Sequence, residues 1–307
     1  MPRAPTYFTA LTLLALFVVG CGDPAEPRSQ NLTDDLGRSV AVELPVSRVA
    51  TLAPSLTEIV FAVGGGDRLV GVGIPDDYPP AVATIPRFST YPVDFEALTA
   101  LEPDLVLAST QVNSPRSAET LEAVGIPTYF LSISSLDDVY ESLQTVGRMM
   151  NHSARADVVA DSLRNRTAIL RQATAPVDRR PSVLVLVGIE ALYSFGKPSY
   201  VHELVDLAGG RSITRELETA APVLSEEFVL TRAPDVIVGL WGDAVNVDDV
   251  LDRHPAWTNV PAVRNGRVYG VDADLLARPG PRLVAGAYAL ARLLHPDLFP
   301  LSTSPSD

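Results

Sequence analysis

Residues 96–108, EALTALEPDLVLA, and residues 227–239, EFVLTRAPDVIVG, are two copies of one pattern. In each copy a glutamate opens a short apolar-spaced turn, a Pro-Asp pair stops it, and a run of aliphatic residues follows. Proline lacks the N–H that a helix needs and disfavours helical geometry in the residue before it, so Pro103 and Pro234 end the two turns. The aliphatic runs Leu105 to Ala108 and Val236 to Leu240 then read as buried parallel strands. A second pair of echoes, EIVFAVGG from Glu58 and ELVDLAGG from Glu203, reads as two helices ended by glycines. The chain is therefore expected to be α/β, with two doubly wound lobes that each present a glutamate at the same place. As single residues, Glu96 and Glu227 could be ordinary first-turn acids favoured by the helix dipole. Their shared register favours a common role.

Working outward, Arg48 to Ala53 is expected as a first strand, with Ser55 or Thr57 capping the Glu58 helix. Leu69 to Val72 forms the next strand, and a proline-rich loop runs from Ile74 to Pro92. Gly71-Val72-Gly73 lacks the third glycine of a dinucleotide loop and follows a helix instead of opening one. Helix from Ser117 to Val124 and strand from Thr128 to Leu131 complete the first lobe. Leu136 to Met149 keeps helical spacing. After Ser153 as cap, Ala154 to Ala173 reads as one long glycine-free helix suited to a rigid strut between lobes. Strand Val183 to Val187 opens the second lobe, and the loop Ile189 to Lys197 lies where α/β sheets hold ligands, beyond a strand's carboxyl end. Asp272-Ala273-Asp274 opens a further loop, and Arg278 to Arg282 leads into a last helix ending at Leu294.

The predicted organisation is a lipoprotein signal peptide over 1–20, a lipidated tether over 21–31 and an N-terminal lobe over 32–150. A linking helix over 151–175, a C-terminal lobe over 176–299 and a tail over 300–307 follow. The apolar run from Tyr7 to Val19 is short for a membrane span and fits the core of an export signal. Val18-Val19-Gly20-Cys21 resembles a bacterial lipobox, and Cys21 is the one cysteine in the chain. Lipidation at Cys21 would anchor the exported protein at the cell envelope, the membrane being met through the lipid alone.

A net charge of −13 and a pI near 4.7 argue against nucleic acid as partner. The four histidines show no metal-site spacing, and no nucleophile elbow or phosphate loop is present, so neither an enzyme nor a cofactor is expected. Tyr91, Tyr193 and Trp241, with Phe88, are candidate faces for a large flat metal-chelate ligand, with Asp274 as an acceptor for its amides. Trp257 reads as core. Arg87 and Arg278 would suit anionic ligands instead.

Four stretches carry a family resemblance: PSLTEIVFAVGGGDRLVGV, the Glu96 unit, HPAWTNVPAVRNGRVY and RPGPRLVAGAYALARLLHPD. They resemble the cobalamin, haem and ferric-siderophore binding proteins of bacterial ABC importers, most of all the cobalamin branch, over Asp34 to Pro296. The resemblance implies two lobes on one long helix, a ligand in the cleft between them and little closure. It also implies that Glu96 and Glu227 dock on arginines of the permease, that Tyr91 and Tyr193 stand at cleft aromatics, and that Asp274 and Arg278 stand at a cleft aspartate and its neighbouring arginine. Ala221 and Pro75 depart from the cobalamin pattern, where a tryptophan and a tyrosine stand. A monomer that carries cobalamin or another corrinoid is expected, with a ferric siderophore or haem as the alternative. A structural envelope lipoprotein without ligand would need neither the aromatic loops nor the paired glutamates.

Overall fold

The structure, a computed structural model, describes residues 28–299; the expected signal peptide, Cys21 and the tail lie outside the described residues. In order the elements are β1 (Arg28–Thr33), β2 (Ser39–Leu44), β3 (Val49–Thr51), α1 (Pro54–Ala62), β4 (Leu69–Gly73), β5 (Arg87–Phe88), α2 (Phe95–Ala100), β6 (Leu105–Ser109), α3 (Pro115–Glu122), β7 (Thr128–Leu131), α4 (Leu136–Met149) and α5 (Ser153–Thr174). The second half adds β8 (Ser182–Leu186), α6 (Val201–Leu207), β9 (Arg211–Ser212), α7 (Glu226–Arg232), β10 (Val236–Gly239), α8 (Val247–Arg253), α9 (Pro261–Arg264), β11 (Val268–Gly270), α10 (Ala273–Ala277) and α11 (Leu283–Leu294).

Two all-parallel sheets result, ordered β5-β4-β3-β6-β7 and β9-β8-β10-β11. The second order repeats the first without its edge strand β5, so the lobes share one topology. In each sheet the order reverses beside its first strand, between β3 and β6 and between β8 and β10, which places a ligand crevice at the strands' carboxyl ends there.

The repeated stretches match atom by atom. Asp94 caps α2 by accepting from the Ala97 N–H, and Ser225 caps α7 by accepting from the Phe228 N–H. Glu96 and Glu227 each stand second in their helix, and Leu98 and Val229, two residues on, are fully buried. Before each proline the backbone turns left-handed, at Glu102 (φ 44°) and Ala233 (φ 42°), because the pre-proline residue cannot continue the helix. Asp104 then accepts the N–H groups of Ser47 and Arg48 at the start of β3, and Asp235 accepts the N–H of Ser182 at the start of β8. Each Pro-Asp pair thus stops a helix and ties down the neighbouring strand.

One apolar core runs through both lobes. It joins Leu56 and Ile59 of α1, Leu143 and Val146 of α4, Leu163 and Leu170 of α5, Leu204 of α6 and Leu290 of α11. The 22 residues of α5 span about 33 Å. The helix buries Ala156, Ala160, Leu163, Thr167, Leu170 and Thr174, a single stripe at helical spacing.

Several expectations need correction. The chain is already strand at residues 28–31, where the tether was expected, because β1 pairs with β2 from Arg28↔Leu44 to Thr33↔Ser39. Helix α1 begins at Pro54 with Ala53 as cap residue and no side-chain cap bond. Proline supplies the fixed φ of a first helical position, and Thr57 is spent elsewhere. His152, not Ser153, precedes α5. Asp272 and Asp274 belong to a helix start, with Asp272 capping α10 through the Asp274 N–H.

Candidate functional site

Loops at the carboxyl ends of the strands leave apolar side chains in water on both lobes. From the first lobe come Ile74 and Tyr78 after β4, Tyr91 after β5 and Val112 after β6; Tyr91 is 91% exposed. From the second lobe come Val187 and Tyr193 after β8, and Val223 ahead of α7; Tyr193 is 47% exposed. Tyr193 and Val223 are bridge partners, so these two exposed groups are held side by side. Exposed apolar groups at the strand ends of a doubly wound sheet are candidates for a binding surface.

Trp241 does not stand free as these tyrosines do. Its indole lies back over its own strand, where a Cβ at Gly239 would meet the ring at 2.0 Å, and the half-buried side chain packs on the second-lobe core. Glycine at 270 serves the same turn, since a Cβ there would meet the Gly242 carbonyl at 1.5 Å and the Trp241 ring at 3.0 Å. Phe88 is buried in the first-lobe core, and Trp257 is fully buried. Arg87 is exposed and donates to the Ile74 carbonyl at 2.8 Å.

Between the lobes, where the loops after β4 and β11 meet, lies a cluster of charge. Arg282, at the start of α11, grips the buried Glu58 of α1 with two bonds, Nε–Oε2 2.9 Å and Nη2–Oε1 2.7 Å. Arg278 pairs with Asp274 at 2.9 Å and with Asp77 across the lobes. Arg282 also reaches Asp274 at 3.3 Å and lies 4.3 Å over the Tyr78 ring. Asp274 and Arg278 are thus brought together, each already engaged by the other. Behind them Asp76 is buried, accepting from Thr57, and its Oδ1 has no partner among the described residues.

Burial pushes the Asp76 carboxyl up to about 6, against the lowering effect of the Thr57 bond and of Arg278. Burial also raises Glu58, outweighing its bonds to Arg282. The bond to Glu58 holds Arg282 still more firmly protonated than usual. The Arg278 bond keeps Asp77 below the ordinary carboxylate range.

A cavity of about 510 Å³ beside this cluster is lined by Phe61 and Ala62 of α1, Tyr78, Pro79, Arg166 of α5 and Ala285 of α11, with Glu58 and Arg282 in its wall. Among the described residues no group of three or more histidine, cysteine, aspartate or glutamate side chains could hold a metal.

Glu96 and Glu227 are both exposed, and neither forms an ion pair among the described residues. The neighbouring Glu226 is engaged, its carboxylate 2.8 Å from Nδ1 of His254. Of the two adjacent glutamates, Glu227, the one in register with Glu96, is thus the one without an ion pair among the described residues.

Sequence reasoning missed Glu58, Arg282, Asp76, Asp77 and His254, together with Ile74, Val112, Val187 and Val223. A signal existed for the last four, which are apolar residues in loops next to predicted strands. None existed for Glu58 with Arg282, whose partners lie 224 residues apart.

Comparison with known proteins places this geometry. A periplasmic binding protein family model matches residues 49–275. The chain is 28% identical, over 316 aligned positions, to an uncharacterized ABC transporter substrate-binding lipoprotein, YvrC, of Bacillus subtilis, covering 97% of this chain and 99% of that protein. The structure of the periplasmic vitamin B12 binding protein BtuF of Vibrio cholerae is similar with a TM-score of 0.72 and 27% identity, over 81% of this chain and 97% of that one. A periplasmic haem binding protein from Pseudomonas aeruginosa gives a TM-score of 0.74 and 27% identity, over 84% and 96%. Two parallel-sheet lobes on a shared core and a family match across most of the chain make this protein a member of the periplasmic binding protein family, which binds solutes and does no chemistry on them.

Proposed function

We propose that the protein is the extracytoplasmic solute-binding lipoprotein of an ABC importer and captures cobalamin or a related corrinoid between its lobes. The observation that carries the ligand choice is the charge between the lobes. Two guanidinium groups, Arg278 and Arg282, sit among four carboxyl groups, Glu58, Asp76, Asp77 and Asp274, and are paired with three of them, Glu58, Asp77 and Asp274. Both guanidinium groups of the cluster are thus engaged, so propionate or catecholate oxygens would meet a surplus of carboxylate there, whereas amide N–H groups around a corrin ring would find acceptors. Exposed Tyr91 and Tyr193 offer faces to a flat macrocycle from opposite lobes. A ferric siderophore or haem is the second reading, favoured by the openly placed Tyr91 phenol, a hard oxygen donor for ferric iron.

Glu96 and Glu227 would be the docking pair. Each occupies the second position of a capped helix, in one register on two lobes joined by a single core. A fixed pair of carboxylates suits a two-fold symmetric permease that presents arginines, giving orientation and encounter rate more than affinity. Cys21 would carry the lipid that keeps the protein at the membrane; among the described residues no helix is long and apolar enough to cross one.

Titration of the purified protein with cyanocobalamin, haemin and a ferric siderophore tests the ligand. Tight binding of cyanocobalamin is expected, and tight binding of either alternative without it would overturn the corrinoid choice. Uptake by the reconstituted importer tests docking. Glu96→Ala with Glu227→Ala should keep ligand affinity and lose transport, and full transport would remove the docking role.

A further inference from the structure

His254 is buried at the end of α8, between the cleft loop and the docking helix. Its Nε2 lies 2.9 Å from the Ile189 carbonyl, in the loop that carries Tyr193. Its Nδ1 lies 2.8 Å from Oε1 of Glu226, the first residue of α7 and the neighbour of Glu227. The ring stacks on Trp257 with centroids 4.3 Å apart and planes 14° from parallel, which fixes its orientation. The preceding residue, Arg253, binds Glu190 of the same loop at 2.6 Å. On the other side the loop is joined by backbone to the segment entering α7, through Leu224 N–H to Leu192 O at 3.0 Å and Ser194 N–H to Pro222 O at 3.0 Å. The imidazole closes this ring of contacts.

Both ring nitrogens face acceptors, a carbonyl and a carboxylate. A neutral imidazole has one N–H and can satisfy one of them; the imidazolium satisfies both. The charged groups about it are Glu226 on α7, Glu190 on the cleft loop and Arg253 on its own helix.

We propose that His254 is a positioning residue that links the cleft loop carrying Tyr193 to the helix turn carrying Glu227, so that the state of the loop is read at the docking face. This rests on Glu227 being a docking residue. The ring, held between the Ile189 carbonyl and the Glu226 carboxylate, ties the first turn of α7 to the loop. In the first lobe Phe95 stands in the place of Glu226, and the Tyr91 loop instead runs by backbone into α2, with the Asp94 N–H on the Ser89 carbonyl at 2.9 Å. The two docking glutamates are therefore tied to their loops differently: Glu96 through the chain itself, Glu227 through the His254 side chain.

The test is binding of the full-length protein to its importer in nanodiscs at one pH, with and without saturating cyanocobalamin. Glu227→Ala serves as the reference for lost docking. Wild-type binding should differ between the two conditions, and His254→Gln and Glu226→Gln should each shrink that difference, by roughly 2- to 30-fold. Glu226→Gln alters an exposed carboxylate, so it tests the link even where His254→Gln lowers stability. If Glu227→Ala weakens binding while wild type shows no ligand effect, or both other variants respond to ligand as wild type does, the link is wrong and docking stands. If Glu227→Ala is itself without effect, the docking reading fails and the link falls with it. Weakening by the variants that is equal with and without ligand would reduce His254 to a structural residue.

Discussion

Removing the guanidinium of Arg282 should cost the protein a large part of its stability, and the cost should depend on pH in a definite direction. Glu58 is 4% exposed and takes two short bonds, 2.7 and 2.9 Å, from Arg282. In Arg282→Ala the nearest remaining guanidinium nitrogen is Nη1 of Arg278, 3.9 Å away. Breaking one side of a buried pair leaves an uncompensated charge and costs about 3–5 kcal/mol. Lost contact with the Tyr78 ring adds about 0.5–1 kcal/mol. Burial already raises Glu58 above its ordinary 4.5, and the Arg282 bonds are what restrain it. Without them its folded value climbs further. A raised carboxyl is favourable to folding when protonated, below its unfolded value, and that contribution is lost as pH rises through the folded value. The deficit of Arg282→Ala should therefore be full at pH 7.5 and smaller by at least about 1 kcal/mol at pH 5. Urea unfolding at the two pH values measures it, and adding Glu58→Gln should recover much of the loss at pH 7.5. A deficit below about 1 kcal/mol, the ordinary worth of an exposed ion pair, would refute the clasp, as would a deficit equal at both pH values.

Asp76→Asn probes the second buried carboxyl. Its rise from 3.8 to about 6 makes ionised Asp76 a burden above pH 6, so the stability of Asp76→Asn relative to wild type should improve by up to about 3 kcal/mol between pH 4 and pH 8; a pH-independent difference would place Asp76 in water. Asp235→Ala leaves the buried Ser182 N–H without its acceptor and should cost about 1–3 kcal/mol in urea unfolding near pH 7. Burial works against Asp235, but the Ser182 bonds prevail and hold it below 3.8; this contribution is present above the ordinary value and fades as pH falls through the lowered one, so a cost that persists undiminished in strong acid would contradict it. Tyr91→Ala and Tyr193→Ala should each weaken cyanocobalamin binding, by about 0.5–1.5 kcal/mol beyond the area lost, and unchanged titrations for both would move the ligand elsewhere.

What the sequence showed and hid follows from the range of the interactions. Strand, stop and cap are local, so the Glu96 and Glu227 units and the helix from Leu136 to Met149 could be read directly from spacing. The left-handed turns at Glu102 and Ala233 were not readable, because a following proline forbids helix at those residues without calling for positive φ. Strand β5 was hidden in a proline-rich loop because a two-residue edge strand leaves no period to read. That the Trp241 indole folds back over its own strand could not be read, because the room for it comes from Gly239 and Gly270 on neighbouring strands. The charge cluster was half visible: Asp274 and Arg278 share a loop region, but their partners Glu58 and Asp77 come from the other lobe.

The echoes at Glu58 and Glu203 have a meaning that neither local reading contained. Glu58, in the first lobe, holds Arg282 at the start of α11, the helix that ends the second lobe. Glu203, in the second lobe, accepts the Leu136 N–H at 2.9 Å, at the start of α4, the helix that follows the last strand of the first lobe. Each lobe therefore grips the start of the other's closing helix with the same residue of the same repeat, and the two grips cross. A hinge motion that parted the lobes would have to break the buried Glu58 pair, expose the first N–H groups of α4 and open a core shared by α1, α4, α5, α6 and α11. Local rearrangement of the strand-end loops meets no such barrier, because Tyr91 and Tyr193 stand in water. Movement is thus left to the strand-end loops, while the crossed glutamates and the shared core hold the two lobes, and with them α2 and α7, in one arrangement.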